Sequence, residues 1–440
     1  MISDAPTGPP GSTVAAVTGK KKKHAGRGGC VQRGGVTPTR ARQMPVESLN
    51  LEAVYWSLVA SPSAAFQKPP FAMTFSQPPC ARGVLNNSNY CFMNATAQTL
   101  AFVPPFAQLA VSAAMETELC PTLAALGTWI LSYWSRPPMQ SIPPLHLPNL
   151  TRGQASFFAA PSHVKKMDGS SQEDATEFMH HMLEVIQSEL CALEERYSGS
   201  SAGASRGPTN LLATNAETKG WTFVKGKERL SVREHRDETR SVLLDAVFGG
   251  AVENHLKGKS KLKHHASVLV EGFFLLQVDV GFSAECSLEM ALERTLQSER
   301  VYDSAREKDL LKTVKLLRLP KVLLLQLQRW AVTAEGELVK LDNVVRFSKT
   351  LVLPKSTCAD ATLTNTARTY ELVAFIAHRG SVIERGHYVA YLANACLPVS
   401  AVAQGKALLT FCNDAKVQLV PLQEAVESEA VYLLVYQRKT

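Results

Sequence analysis

Five polar residues, spread over most of a 440-residue chain, have the types needed for acyl-transfer chemistry: Asn86, Cys91, His387, Asn413 and Asp414. In such chemistry a thiolate attacks, an imidazole takes and returns the proton, and a third polar group holds the imidazole in the working tautomer. Cys91 ends the turn-rich run Arg82-Gly83-Val84-Leu85-Asn86-Asn87-Ser88-Asn89-Tyr90 and opens an apolar segment reaching Phe106. Gly and Asn favour turns, so a helix is expected to start at or just before Cys91. Its sulfur then faces unpaired backbone N–H groups and the positive end of the helix dipole, and both favour thiolate. Asn86, five residues upstream, can aim a side-chain amide at the oxyanion. A cysteine after a turn is weak evidence alone, because most cysteines of a reduced chain are inert core residues.

The far end of the chain supplies the partners. Of eleven histidines, most are poor bases: His180-His181 lie within a helical pattern and His264-His265 in a basic turn. His387 follows Arg385-Gly386 and opens the apolar strand His387-Tyr388-Val389-Ala390-Tyr391-Leu392. A strand start holds a side chain firmly, and Gly386 leaves room for backbone or substrate. A second strand, Leu408 to Cys412, ends in Asn413-Asp414. If the two strands pair as a meander, Asn413 or Asp414 reaches the ring of His387.

Helices must position the cysteine and strands the histidine. From Cys91 to about Trp134 apolar residues recur at helical intervals, punctuated by Pro104-Pro105 and Cys120-Pro121. The clearest helix runs from about Gln172 to Arg196. Its stripe is Ala175, Phe178, Met179, Met182, Leu183, Ile186, Leu190 and Leu193, with Ser170 or Ser171 as cap. Asp174 and Glu177 share a polar face near its start, where acids suit the dipole. The period then changes to two. Strands are expected around Leu276–Val280, Leu323–Leu327, Tyr370–Ala377, His387–Leu392, Leu408–Cys412 and Ala430–Tyr436, with a charged helix at about Leu288–Leu311 between the first two. Helices first and strands last describe an α+β architecture with an antiparallel sheet against a helical half.

Composition narrows the class. With 45% hydrophobic and 20% charged residues the chain is an ordinary globular protein. Nine cysteines without one Cys-x-x-Cys pair argue against a disulfide framework or a zinc ribbon, and suit a reducing compartment. The most apolar stretch, Ala97 to Met115, is broken by two prolines and is no membrane span, and no signal peptide is visible. The net charge of +8 belongs to a tail: residues 1–45 hold eight Lys/Arg and one acid, so the rest is nearly neutral. Specific nucleic-acid binding is therefore not expected. Residues 1–80 read as a disordered, low-complexity region. Lys20-Lys21-Lys22-Lys23 is a possible nuclear import signal within it, and Val54–Val59 an apolar island able to dock on the domain or bind a partner. Residues 81–440 read as the folded domain, with a flexible insertion at about 198–220.

The segments that carry this chemistry resemble a known family. GVLNNSNYCFMNATAQTL is similar to the Cys box of the ubiquitin-specific proteases, and SQEDATEFMHHML to their Gln-Asp-Ala helix. LPKVLLLQLQRW resembles their Leu-Pro strand, and YELVAFIAHRGSVIERGHYVAYL, CNDAKV and AVYLLVYQR their His box and final strands. These segments stand in the family's order from about residue 82 to 438. The likeness is nearest to the zinc-less branch that partners a stress-granule RNA-binding protein.

The resemblance implies a papain-like cysteine protease with a helical thumb, an antiparallel-sheet palm and β fingers. Cys91 would be the nucleophile, His387 the base, Asn413 the orienting group and Asn86 the oxyanion donor, with Asp414 a second acid nearby. Asp174 and Glu177 would grip the arginine-rich tail of ubiquitin, while His378, Gly386 and Tyr388 would line the channel for its terminal Gly-Gly. The implied reaction is hydrolysis after ubiquitin's last glycine, through a thioester and without a cofactor or metal. Ubiquitin and ubiquitinated proteins would be the partners, a protein cofactor could bind the N-terminal region, and the setting would be cytoplasmic, also nuclear. Two alternatives are a weak or dead ubiquitin-binding scaffold and a protease for another ubiquitin-like modifier. Ser88 for the usual Gly, Asn413 for Asp, Leu409 for Trp and Trp330 for Phe depart from the family pattern.

Overall fold

The apolar run after Cys91 forms three consecutive helices in the computed structural model: Cys91–Ala101, Pro104–Ser112 and Pro121–Ser135. The breaks fall at the prolines, which suit a first helical turn but would cost an interior one its hydrogen bond. The structure describes residues 44–61, 70–135, 140–147, 172–200, 222–225, 229–234, 240–258, 266–303, 308–332, 335–380, 386–393, 395 and 407–439. All of them lie in the second of two units, Met1–Arg42 and Gln43–Thr440. The basic run and most of the 198–220 insertion fall outside the described residues.

The long helix spans Ala175–Ser200, and its whole expected stripe is buried. Its cap is Asp174; the expected caps Ser170 and Ser171 lie outside the described residues. The Asp174 Oδ1 accepts the N–H groups of Thr176 (2.7 Å) and Glu177 (3.0 Å), the orphan donors of the first turn. The same helix caps two neighbours from its side. Glu189 accepts the N–H groups of Thr122 and Leu123, and Glu194 those of Val242 and Leu243, starting the helix Val242–Phe248.

An eight-stranded sheet backs the helices. From one edge its strands are Lys416–Pro421, Leu408–Asn413, His387–Leu392, Thr369–Arg379, Val431–Arg438, Val322–Gln328 and Leu275–Asp279, with Thr350–Val352 beside Thr369–Arg379. Leu324 faces the helices together with Phe92, Phe178 and Ile376, while Leu323 and Leu325 face a second core with Phe375 and Leu292. This explains the unbroken Leu run, since a strand covered on both faces needs no polar alternation. One expectation is corrected here: the edge pair Leu275–Asp279 and Val322–Gln328 is parallel, not antiparallel. The long connection between them permits it, where a tight hairpin would not.

A six-stranded sheet forms the fingers, in the order Thr222–Lys225, Arg229–Glu234, Ala266–Phe273, Gly250–Gly258, Lys308–Arg318 and Ser298–Asp303. The expected charged helix therefore stops early. It covers only Leu288–Thr295, and the residues after it pair as an antiparallel hairpin, Val301 opposite Leu310. Edge pairing to Gly250–Gly258 outweighs the helical propensity of its Lys, Leu and Arg residues.

The N-terminal boundary also moves. Leu51–Ala60 is a helix within the stretch expected to be disordered, and it docks on the domain through buried Leu51, Tyr55 and Leu58. Burying each such side chain contributes about 1.5–3 kcal/mol, enough to hold a short helix that would not form alone. Phe71, in the expected linker, is buried in the same core.

Candidate active site

Cys91 is the first residue of its helix and is buried. The N-cap Tyr90 makes no side-chain cap bond. The turn is instead closed by Asn86, whose Oδ1 accepts the N–H groups of Ser88 (3.2 Å) and Tyr90 (3.1 Å). Asn86 Nδ2 donates to Asp414 Oδ2 at 2.9 Å. An amide bears two hydrogens, so one remains beyond this bond.

His387 begins its strand, as expected, and that strand pairs with Leu408–Asn413, placing Ala390 opposite Cys412. The His387 Nε2 lies 2.7 Å from Asn413 Oδ1 and 3.8 Å from Asp414 Oδ2. Cys91 is the group that most strongly raises the pKa of the ring. Thiol, imidazole and amide therefore meet, and of the two candidates for the third position Asn413 is the one bonded to the ring.

The turn after the strand explains why. Asp414 has φ 48°, the only positive φ among the described non-glycine residues, and Asp tolerates that left-handed conformation better than most. The tight turn pairs Asn413 with Lys416 and directs Asp414 toward the cysteine segment. There its carboxylate accepts Asn86 and, at 2.8 Å, Asn94 Nδ2, while its C=O accepts the Val84 N–H at 2.9 Å. Backbones approach so closely here that a Cβ on Gly83 would sit 2.2 Å from the Ala415 carbonyl oxygen. Only glycine fits.

The His387 pKa is raised from 6.5 to about 9, first by Cys91 and then by Asn413 and the negative charge of Asp414, all against desolvation. The ring is thus an imidazolium at neutral pH. This contribution to stability is complete below the unfolded value near 6.5 and is lost as pH rises through about 9.

His378 is the opposite case. It pairs in register with Tyr388 on the neighbouring strand, is 2% exposed, and neither ring nitrogen has a hydrogen-bond partner. Burial, with the Lys340 charge, lowers its pKa to about 4, so it is neutral. A Cβ on Gly386 would lie 2.0 Å from its Nε2. The room that Gly386 makes is filled by His378, not by open space. Gln172 Nε2 donates to the Gly386 carbonyl at 2.5 Å, tying the start of the long helix to the residue before His387.

Asp174 is more committed than the sequence suggests. Besides capping, its Oδ2 accepts the hydroxyls of Tyr388 (3.3 Å) and Tyr432. Burial and the Asp174 charge raise both phenol pKa values, so both remain donors. Tyr388 and Tyr432 rings lie 5.9 Å apart beside His378, forming an aromatic wall. Glu177, one turn on, is exposed. Sequence reasoning missed Asn94 and Tyr432. Asn94 had a signal, a polar residue three positions after Cys91 and so on the same helix face. Tyr432 had none.

A cysteine at a helix start, facing a histidine and an amide on an antiparallel sheet, defines the papain-like class of α+β cysteine-protease folds. The family model described as ubiquitin carboxyl-terminal hydrolase matches residues 82–436, and the chain belongs to that family. It is 29% identical to ubiquitin carboxyl-terminal hydrolase 24 of Arabidopsis thaliana and 24% identical to ubiquitin carboxyl-terminal hydrolase 10-A of Xenopus laevis. Each match covers 70% of this chain, but 57% and 42% of those relatives. The chain thus spans about half the length of the curated relatives it matches. Among solved structures it is similar to the SAGA Ubp8/Sgf11/Sus1/Sgf73 DUB module bound to ubiquitin aldehyde. That likeness has a TM-score of 0.53 at 18% identity, over 89% of this chain and 75% of the other. The expected family and fold are borne out.

Proposed function

We propose that this chain is a thiol-dependent deubiquitinase that hydrolyses the peptide or isopeptide bond after the C-terminal glycine of ubiquitin. The observation that carries it is a single imidazole, His387, that is bonded to Asn413 at 2.7 Å and whose pKa is raised most by Cys91. The Cys91 thiolate attacks the glycine carbonyl, and the new C–S bond pushes the carbonyl electrons onto oxygen. The free N–H of Asn86 donates to that oxyanion, the larger share of such catalysis being electrostatic. As the C–N bond breaks, the His387 imidazolium gives its proton to the leaving amine. Neutral His387 then takes a proton from water, the hydroxide attacks the thioester, and the thiolate and imidazolium are restored.

Asn413 fixes the ring and Asp414 supplies the charge, a division of labour consistent with their 2.7 and 3.8 Å distances. His378, Gly386, Tyr388 and Tyr432 would border the path of a Gly-Gly end. Exposed Glu177 is the acid that faces a basic tail, while Asp174 mainly holds the helix and the tyrosines in place. The setting would be the cytoplasm or nucleus, and the N-terminal region a site for a protein partner. Cleavage of fluorogenic ubiquitin, set beside other Gly-Gly-ended modifiers, tests this. Turnover of ubiquitin that vanishes in Cys91→Ala supports it. Binding without turnover makes the chain a scaffold, and preference for another modifier reassigns its substrate.

A further inference from the structure

We infer that Asn94, on the cysteine helix but without access to substrate, is a positioning residue that sets the oxyanion donor. This rests on Asn86 serving as that donor. Asn94 is 1% exposed, and its Nδ2 donates to both Asp414 Oδ1 (2.8 Å) and the Leu85 carbonyl (3.3 Å). Its Oδ1 is buried without a hydrogen-bond partner. A buried amide with an orphaned acceptor is held in place by its donor side, because orphaning a buried polar atom is unfavourable.

Both bonds of the donor end on groups that fix Asn86. One grips the carbonyl of the residue before it, and the other holds the second oxygen of the carboxylate that Asn86 itself donates to. Asp414 is thus fixed by two amides, one per oxygen, and cannot rotate without breaking one of them. The Asn86 hydrogen left for the oxyanion points where Asp414 allows, and Asp414 stays where Asn94 holds it. Cys91 and Asn94 are one turn apart on the same helix face, so one rigid element sets both nucleophile and oxyanion donor.

The test is a double-mutant cycle with fluorogenic ubiquitin. Asn94→Ala is expected to lower kcat on the order of 10²-fold, as for loss of an oxyanion donor, with KM changed less than about twofold. Asn86→Ala combined with Asn94→Ala should be little worse than Asn86→Ala alone, because the two act as one unit. Asn94→Asp keeps the shape and removes the donor, and should lose as much as Asn94→Ala. Multiplying losses, or an unchanged kcat in a folded Asn94→Asp, overturns the inference. A second readout needs no turnover: hydrogen exchange of the Asn86 side-chain amide should quicken roughly tenfold or more in Asn94→Asp, by release of a buried bond. Unchanged exchange overturns the inference, whereas a wild-type chain that exchanges as expected but cleaves no ubiquitin overturns only the proposed activity.

Discussion

Two imidazoles sit on adjacent strands of one sheet and are driven in opposite directions. His387 has an acceptor at Asn413, Cys91 beside it and Asp414 nearby, and is pushed up to about 9. His378 has no hydrogen-bond partner at either nitrogen, lies under the Lys340 charge, and is pushed down to about 4. Both are desolvated, so burial alone does not explain the difference. Partners do. One ring is built to carry a proton, and the other to stay neutral and fill space against Tyr388, Tyr432 and Gly386.

The largest test of that contrast is deletion. His387→Ala should cost kcat/KM on the order of 10⁴-fold, by loss of the only base. His378→Phe, which keeps a ring of similar shape, should cost less than about tenfold. Equal losses would break the contrast. Next is Gly386→Ala, whose new methyl meets His378 Nε2 at 2.0 Å and must displace that ring or His387 itself. A shift of about 1 Å at the chemistry costs roughly 10²-fold, read as kcat/KM on fluorogenic ubiquitin.

Asn413→Ala sharpens the comparison through pH. Removing an acceptor that raises the His387 pKa must lower it, so the alkaline limb of kcat/KM should move down from about 9 toward 6.5. A limb that stays in place would leave Asn413 without an orienting role. For His378 the sign is reversed. Its neutral form favours folding above pH 6.5, and that contribution is lost as pH falls toward about 4.

Glu194 supplies the smallest effect on activity and a third case. Burial, with the Asp245 charge, raises its pKa to about 7 although Ser241, Val242 and Leu243 all donate to it. Its folded value exceeds the unfolded 4.5, so stability should fall as pH rises from 4.5 to 7. Glu194→Ala orphans those donors and should lower stability by about 1–3 kcal/mol in a denaturant titration, while leaving kcat unchanged.

Much of this was legible in the sequence where local rules suffice. A turn before Cys91, a proline at each helix break and alternation along the strands each fix an element without help from afar. From the residues alone the third member stayed open between Asn413 and Asp414, with only the family resemblance favouring Asn413, because the choice depends on the backbone of one turn residue at φ 48°. Several polar residues precede the long helix, so local rules did not single out Asp174, which caps it and also faces two tyrosines from the sheet. The expected helix at Leu288–Leu311 failed because its Lys, Leu and Arg residues suit helix or edge strand, and the finger sheet chose strand.

The central claim, that Cys91 is the nucleophile activated by His387 for a ubiquitin terminus, is tested most directly by ubiquitin carrying a C-terminal electrophile, with the adduct mapped by mass spectrometry. One ubiquitin per chain, attached at Cys91, lost in Cys91→Ala and greatly slowed in His387→Ala, is the expected result. No adduct on the folded chain, or attachment at another cysteine such as Cys80 or Cys191, would contradict it.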